Sequence, residues 1–368
     1  GSNAPDYLYF SSNNIIYGAS GITLYDLQNC TGLSEAITAD PQLRMMPGTA
    51  DENTLFMDPR PSSSSPAYAL VDQVPDDGFF EGTVYKGAFD TDLWLNGFSW
   101  LAERERIPAN PPDVNAPIFD LCGLIRGNSV LYAEHTHILA CQTYVSTGGR
   151  LEIKAGTTVY AYRYSSDFTD SAPALVVKIG GTVEMQGTVD APITFTSIQS
   201  PSTLPSRGLW GGLIIMGNAP VYGTMQEVEG LEGHHYGGSD SSDSSGTLSY
   251  VRVWYGGAVI GADNEINGIT LAGVGSGTTV DHCEVAFNVD DGFEYFGGTV
   301  NSKYLSVLFV GDDAIDTDLG FQGKIQFAYV MIGASGHHGV EMDSKINGSP
   351  RSFPQLYGAT FVHHLDGS

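Results

Sequence analysis

The sequence predicts an all-β chain built around a right-handed parallel β-helix, and three observations carry that prediction. Short β-branched and aromatic runs recur between Gly, Asn and Asp punctuation, helical periodicity is almost absent, and acidic and histidine motifs return at a spacing that suits one solenoid turn. Glycine, at 46 residues, supplies the turns such a chain needs.

Taken in order, residues 1–102 read as an N-terminal cap or closing segment. Gly1 and Ser2 look like a cloning scar, and 33–39 is the one short helical candidate. Residues 58–66 form a Pro/Ser loop by composition. The stretch from Phe79-Phe80 through Trp94 and Trp100 is too apolar for a free linker, so it is expected to pack on the solenoid or to cap it. Residues 103–120, with Pro108, Pro111 and Pro112, read as a linker or extended strap.

The solenoid is expected over 121–368. Its early strands include Leu151-Glu-Ile-Lys154, Thr157-Thr-Val-Tyr160, Thr182-Val-Glu-Met185 and Ile193-Thr-Phe-Thr196. Strands this short also suit a β-sandwich, and repetition decides between the two. Val289-Asp-Asp-Gly-Phe-Glu-Tyr-Phe296, Gly311-Asp-Asp-Ala-Ile-Asp-Thr-Asp318 and Gly336-His-His-Gly-Val-Glu-Met-Asp343 align, with starts 22 and 25 residues apart by subtraction. A shorter echo is Val362-His-His-Leu-Asp366.

In stacked turns, equivalent positions lie about 4.8 Å apart. Three ladders follow: Asp290, Asp312 and His337; Asp291, Asp313 and His338; Glu294, Asp316 and Glu341. On the strands of successive turns Val253, Cys283, Val285 and Val307 are expected to point inward.

Charge narrows the partners. Sixteen Lys plus Arg against 42 Asp plus Glu leave −26, which repels a phosphate backbone, so nucleic acid and anionic membrane are poor partners. No run is long and apolar enough for a membrane span, and no organic cofactor motif is present. Cys122 and Cys141 flank the first expected turn, and spacing alone leaves open whether they bridge. His135 and His137 share a strand face without an evident third ligand and read as surface imidazoles.

Stacked carboxylates repel by about 1 kcal/mol per pair even in water. A bound cation, raised carboxyl pKa values or the interposed histidines must offset this, unless the stripe is simply solvated. Asp291, Asp313, Glu294, Asp316, Asp318 and Glu341 are therefore the candidate ligands, and hard oxygen donors favour Ca²⁺.

Several motifs resemble a family of secreted or surface β-helix proteins of marine and environmental bacteria, often lipoproteins. They are Arg207-Gly-Leu-Trp-Gly-Gly-Leu-Ile-Ile-Met-Gly-Asn-Ala-Pro-Val221, Asn264-Glu-Ile-Asn-Gly-Ile-Thr270 and Asp290-Asp-Gly-Phe-Glu-Tyr-Phe-Gly-Gly298. The resemblance implies a β-helix over most of 122–366 and an extracellular location. Pro75-Asp-Asp-Gly-Phe-Phe80 and Trp94-Leu-Asn-Gly-Phe98 look like that family's C-terminal closing segment, here placed first. That order implies a tandem array in which 5–101 docks on a preceding module.

A local resemblance points elsewhere. Asn288-Val-Asp290, Gly311-Asp-Asp313 and Gly336-His-His-Gly339 are similar to turns of polygalacturonase-type hydrolases, which implies Asp312 as general acid, Asp290 and Asp313 activating water, and His337 or His338 tuning the site. The Arg-x-Lys clamp of those enzymes is absent from the chain. The primary expectation is thus an extracellular, non-enzymatic structural or adhesive module that binds Ca²⁺, glycan or neighbouring copies. The alternative is a polysaccharide hydrolase or lyase using Asp290, Asp312, Asp313 and His338.

Overall fold

The computed structural model describes residues 39–45, 58–61, 65–90, 93–95, 97–103, 118–162, 164, 171–198, 204–228, 231–258, 266–345 and 347–363. Eighteen strands join one continuous sheet, and each ladder within it pairs parallel with the strand one turn away. This is a right-handed parallel β-helix.

Inward residues stack on their own kind. Val253, Val285, Val307, Val330 and Phe361 are successive register partners, as are Val251, Cys283, Leu305, Ala328 and Ala359. Val253, Cys283, Val285 and Val307 are all buried, as their alternation predicts. Each turn covers the apolar face of the last, so burial is continuous along the axis.

The long strands bend at a left-handed residue. Tyr250, His282, Tyr304 and Phe327 have φ of 51, 49, 54 and 62° and occupy the same place in successive turns. A non-glycine there costs about 1–2 kcal/mol. Ring stacking offsets much of that, because neighbouring rings lie 4.3, 4.2 and 4.8 Å apart, and such pairs contribute about 0.5–1.5 kcal/mol each.

The aromatic N-terminal stretch lies along the flank of this ladder and spans several turns of its own chain. Glu81 and Gln326 exchange two hydrogen bonds of 2.8 Å, Ala88 N–H donates to Thr360, Trp94 meets Tyr304, and Phe98 meets Tyr250 edge-on. The short helix Trp100–Glu103 then closes over a buried polar group. Glu284 accepts from the Trp100 backbone, from Trp254 Nε1 at 3.1 Å and from Ser306 Oγ at 2.8 Å. Its register neighbour Arg252 donates to Thr194 and Phe98 and pairs with Glu103 at 3.1 Å. Burial pushes the Glu284 carboxyl up to about 7 despite these donors.

Other expectations need adjustment. The 58–66 loop begins as a strand, Asp58–Pro61, paired antiparallel with Leu43–Met45, and ends in a 3-10 turn capped by Ser65. The first solenoid strand, Ile118–Ile125, starts before residue 121 because its first residues pair with Thr136–Ile138. Gln226–Glu227 and His235–Tyr236 form an antiparallel hairpin outside the ladder. His137 is 2% exposed rather than a surface imidazole, since its ring turns in to meet the Tyr132 backbone. Cys122 and Cys141 are disulfide-bonded. The helical candidate before Ala39, Cys30, the linker core 104–117 and the final echo past His363 lie outside the described residues.

Candidate functional site

Three consecutive turns build the site, each entering a short strand from an acidic or histidine loop. In the strands Phe293–Phe296 and Ile315–Asp318, Phe293, Tyr295, Ile315 and Thr317 are buried, so alternation turns Glu294 and Asp316 outward. Glu294, Asp316 and Glu341 are register partners, which is the third expected ladder.

Backbone bonds set the loops above one another. Gly292 N–H donates to Asp313 C=O and Ala314 N–H to His338 C=O, both at 2.9 Å, so positions 291, 313 and 338 stack as expected. The aspartates also tie the turns together. Asp291 Oδ1 accepts from Asp313 N–H at 2.9 Å, and Asp313 Oδ1 accepts from His338 N–H at 2.6 Å. Gly311 allows this close stacking, for a Cβ there would lie 1.8 Å from the Val289 carbonyl oxygen.

The loops open on a pocket of about 140 Å³ lined by Asp290, Asp291, Glu294, Asp312, Asp313 and Glu341. Val228, Ile266 and Phe296 make its apolar wall, and Asn267 and Thr270 close the turn below. Asn267 donates through Nδ2 to Glu294, while its Oδ1 is buried without a hydrogen-bond partner. Among the described residues, no Lys or Arg lines the pocket.

Uncompensated charge appears as retained protons. Burial, then the charge of Asp290, pushes Asp291 up to about 8. Burial likewise raises Asp316 to about 6. Glu341 rises to about 7 because it hydrogen-bonds the Asp313 carboxylate, and its own exposure leaves burial a smaller part.

Oxygen atoms of Asp291, Glu294 and Asp316 lie within 4.8 Å of one another, as do those of Asp290, Asp291 and Asp312. Among the expected ligands Asp318 stands apart. Its Oδ2 lies 3.4 Å from Lys345 Nζ, which supplies the counter-charge the pocket lacks. Asp290, Asp312, Asp313 and His338, the alternative catalytic set, do meet at the pocket mouth, with Asp313 2% exposed beneath His338.

Sequence reasoning missed Asn267 and Thr270. Thr270 is the register partner of Glu294, so carrying the repeat one turn upstream into Asn264-Glu-Ile-Asn-Gly-Ile-Thr270 finds both.

No helix among the described residues is long and apolar enough to cross a membrane. No curated protein and no solved structure matches the chain. The family profile described as pectate-lyase like beta helix domain matches residues 123–367, which is most of the chain and all of the solenoid but the start of its first strand. By that match and by its parallel ladder, the chain belongs to the pectate-lyase-like β-helix family.

Proposed function

We propose that this chain is an extracellular, non-catalytic β-helix module that binds Ca²⁺ in its flank pocket and, through that ion, a carboxylated glycan. One observation carries the reading. Six carboxylates and the unpaired Asn267 amide oxygen meet in one cavity that no Lys or Arg among the described residues lines. Ca²⁺ takes about six to eight oxygen ligands in irregular geometry, and an all-oxygen donor set suits it. A chain carrying −26 repels an acidic polymer unless a cation bridges them. The family match supports a polysaccharide-related role, and the Cys122–Cys141 disulfide suits an oxidising compartment.

Among the described residues the pocket has no Lys or Arg in its lining to clamp a sugar carboxylate, which supports binding without turnover.

A second reading has one observation in its favour. Asp291 keeps its proton near neutrality among the other pocket carboxyls, the arrangement of a general acid. In a hydrolase the acid would then be Asp291, not Asp312.

Calorimetric titration with Ca²⁺, and pull-down on polygalacturonate or alginate with and without chelator, test the two readings together. Saturable Ca²⁺ binding, with glycan retained only when Ca²⁺ is present and no ends released, is the expected result. Release of reducing or unsaturated ends that stops in Asp291→Asn would overturn it.

A further inference from the structure

At the rim of the pocket the column changes from carboxylate to imidazole. His337 and His338 lie side by side over Asp312 and Asp313, with ring centroids 3.7 Å apart and the planes tilted by 42°. Their Nδ1 atoms turn the same way. His337 Nδ1 is 3.2 Å from Asp312 Oδ1 and 3.6 Å from Asp313 Oδ1, and His338 Nδ1 is 2.9 Å from that same Asp313 oxygen.

We propose that Asp313, His337 and His338, whose donor atoms all lie within 4.8 Å of one another, form a second metal site, selective for an imidazole-seeking divalent cation such as Zn²⁺, with Asp312 holding the His337 ring beside it. In tetrahedral zinc with bonds of about 2.0–2.1 Å, donor atoms sit roughly 3.3 Å apart. The separations of 2.9 and 3.6 Å from Asp313 Oδ1 to the two imidazole nitrogens straddle that edge length. A plain Asp–His hydrogen bond accounts for His338 on Asp313. It gives no reason for His337 to aim at the same oxygen while also meeting Asp312.

The site is held before any ion arrives. Asp313 is 2% exposed, and the backbone N–H of His338 fixes its Oδ1. The histidine loop is tied to the turn below by His337 N–H to Asp312 C=O at 3.0 Å and Ala314 N–H to His338 C=O at 2.9 Å. The donors therefore belong to two turns locked in register. The His337 and His338 side chains are 65% and 47% exposed, so an ion enters from solvent and keeps a coordination position for water or a ligand oxygen.

This site shares Asp313 with the Ca²⁺ pocket and differs from it in its two imidazole donors. Imidazole nitrogen suits Zn²⁺, Cu²⁺ and Ni²⁺ and is poor for Ca²⁺, whereas the pocket behind offers oxygen alone. The two ions therefore sort by ligand chemistry along one column.

The test is calorimetric titration of chelator-treated full chain with Zn²⁺ and, separately, with Ca²⁺. It compares the parent, the double variant His337→Gln/His338→Gln, and Asp316→Asn. Both histidines are exposed, so the double variant is expected to fold as the parent does. One Zn²⁺ per chain is expected, weakened at least about a hundredfold in the double variant, with Ca²⁺ binding unchanged there. Asp316→Asn should weaken Ca²⁺ and leave Zn²⁺ alone. Co²⁺ should give the intense visible bands of a tetrahedral site in the parent and lose them in the double variant. The proposal is overturned if Zn²⁺ does not bind, if its binding survives loss of both histidines, or if Asp316→Asn abolishes it equally. Failure of Ca²⁺ binding alone would count against the pocket reading and leave this one standing.

Discussion

Two flanks of the same solenoid bury a carboxyl group, and they treat it in opposite ways. On the strap side Glu284 is fully buried, accepts from Trp100, Trp254 and Ser306, and has Arg252 as its ladder neighbour. On the pocket side Asp291 accepts from Asp313 N–H, and the charges that act on it are those of Asp290, Asp316 and Asp313. Stacking turns will align whatever side chain a repeat contains. Whether the chain itself supplies the counter-charge separates a structural column from one prepared for an outside ion.

The comparison breaks first where the closed flank is opened. Trp100→Ala removes a buried indole that packs 4.7 Å from Phe287 and donates to Tyr255 at 2.8 Å, and it loosens the strap over Glu284. A loss of about 3–5 kcal/mol in chemical denaturation is expected. A loss below about 1 kcal/mol would mean that the strap is an accessory and that the contrast between the flanks is false.

On the open flank the sign reverses. Asp291→Asn keeps an oxygen to accept from Asp313 N–H but removes a charge with no cationic partner. Without Ca²⁺, at pH 8, the variant should be more stable than the parent by about 1 kcal/mol, and its Ca²⁺-induced rise in Tm should shrink. Equal destabilisation with and without Ca²⁺ would show that Asp291 is only a backbone anchor.

The pH profile follows from the same carboxyls. Asp291 has a folded pKa of about 8 against an ordinary 3.8. Below the ordinary value both states are protonated and the group contributes nothing. As pH rises from there to about 8 the unfolded chain releases the proton and the folded chain keeps it, so stability falls. Glu284, Glu341 and Asp316 act in the same direction over narrower windows ending at about 7, 7 and 6. With chelator present, Tm should decline through this range. Saturating Ca²⁺ should flatten the pocket's part of the slope by displacing its protons, and the remainder should belong to Glu284. A slope untouched by Ca²⁺ would remove the pocket from the account.

The parts of this contrast legible in the sequence were those with a period. Val289-Asp-Asp-Gly, Gly311-Asp-Asp and Gly336-His-His-Gly recur at one turn's spacing, so the fold, the inward valines and the three outward ladders could all be read from them. Aperiodic features could not. Arg252 beside Glu284 joins two strands that share no motif, and the strap reaches Glu284 across more than a hundred residues. The pairing of Asp318 is hidden from the repeat for a related reason. Its place two residues after Asp316 puts it among the six candidate ligands, and its partner Lys345 lies in an irregular loop whose position no repeat predicts.

Asp318 also sets the finest test of where the pocket ends. Its carboxylate lies two residues along the strand from Asp316, on the same outward alternation, yet Lys345 Nζ at 3.4 Å already meets it. That lysine is 50% exposed, so solvent screens the pair and limits it to under about 1 kcal/mol. Asp318→Asn should therefore change stability by a few tenths of a kcal/mol and leave Ca²⁺ affinity within about twofold. Lys345→Met is the sharper partner variant, since it frees the Asp318 carboxylate without removing it. If Ca²⁺ affinity then rises roughly tenfold, one lysine was setting the boundary between the column's self-neutralised end and its open one. If it stays unchanged, Asp318 faces away from the ion, and the pocket's own six carboxylates complete the site.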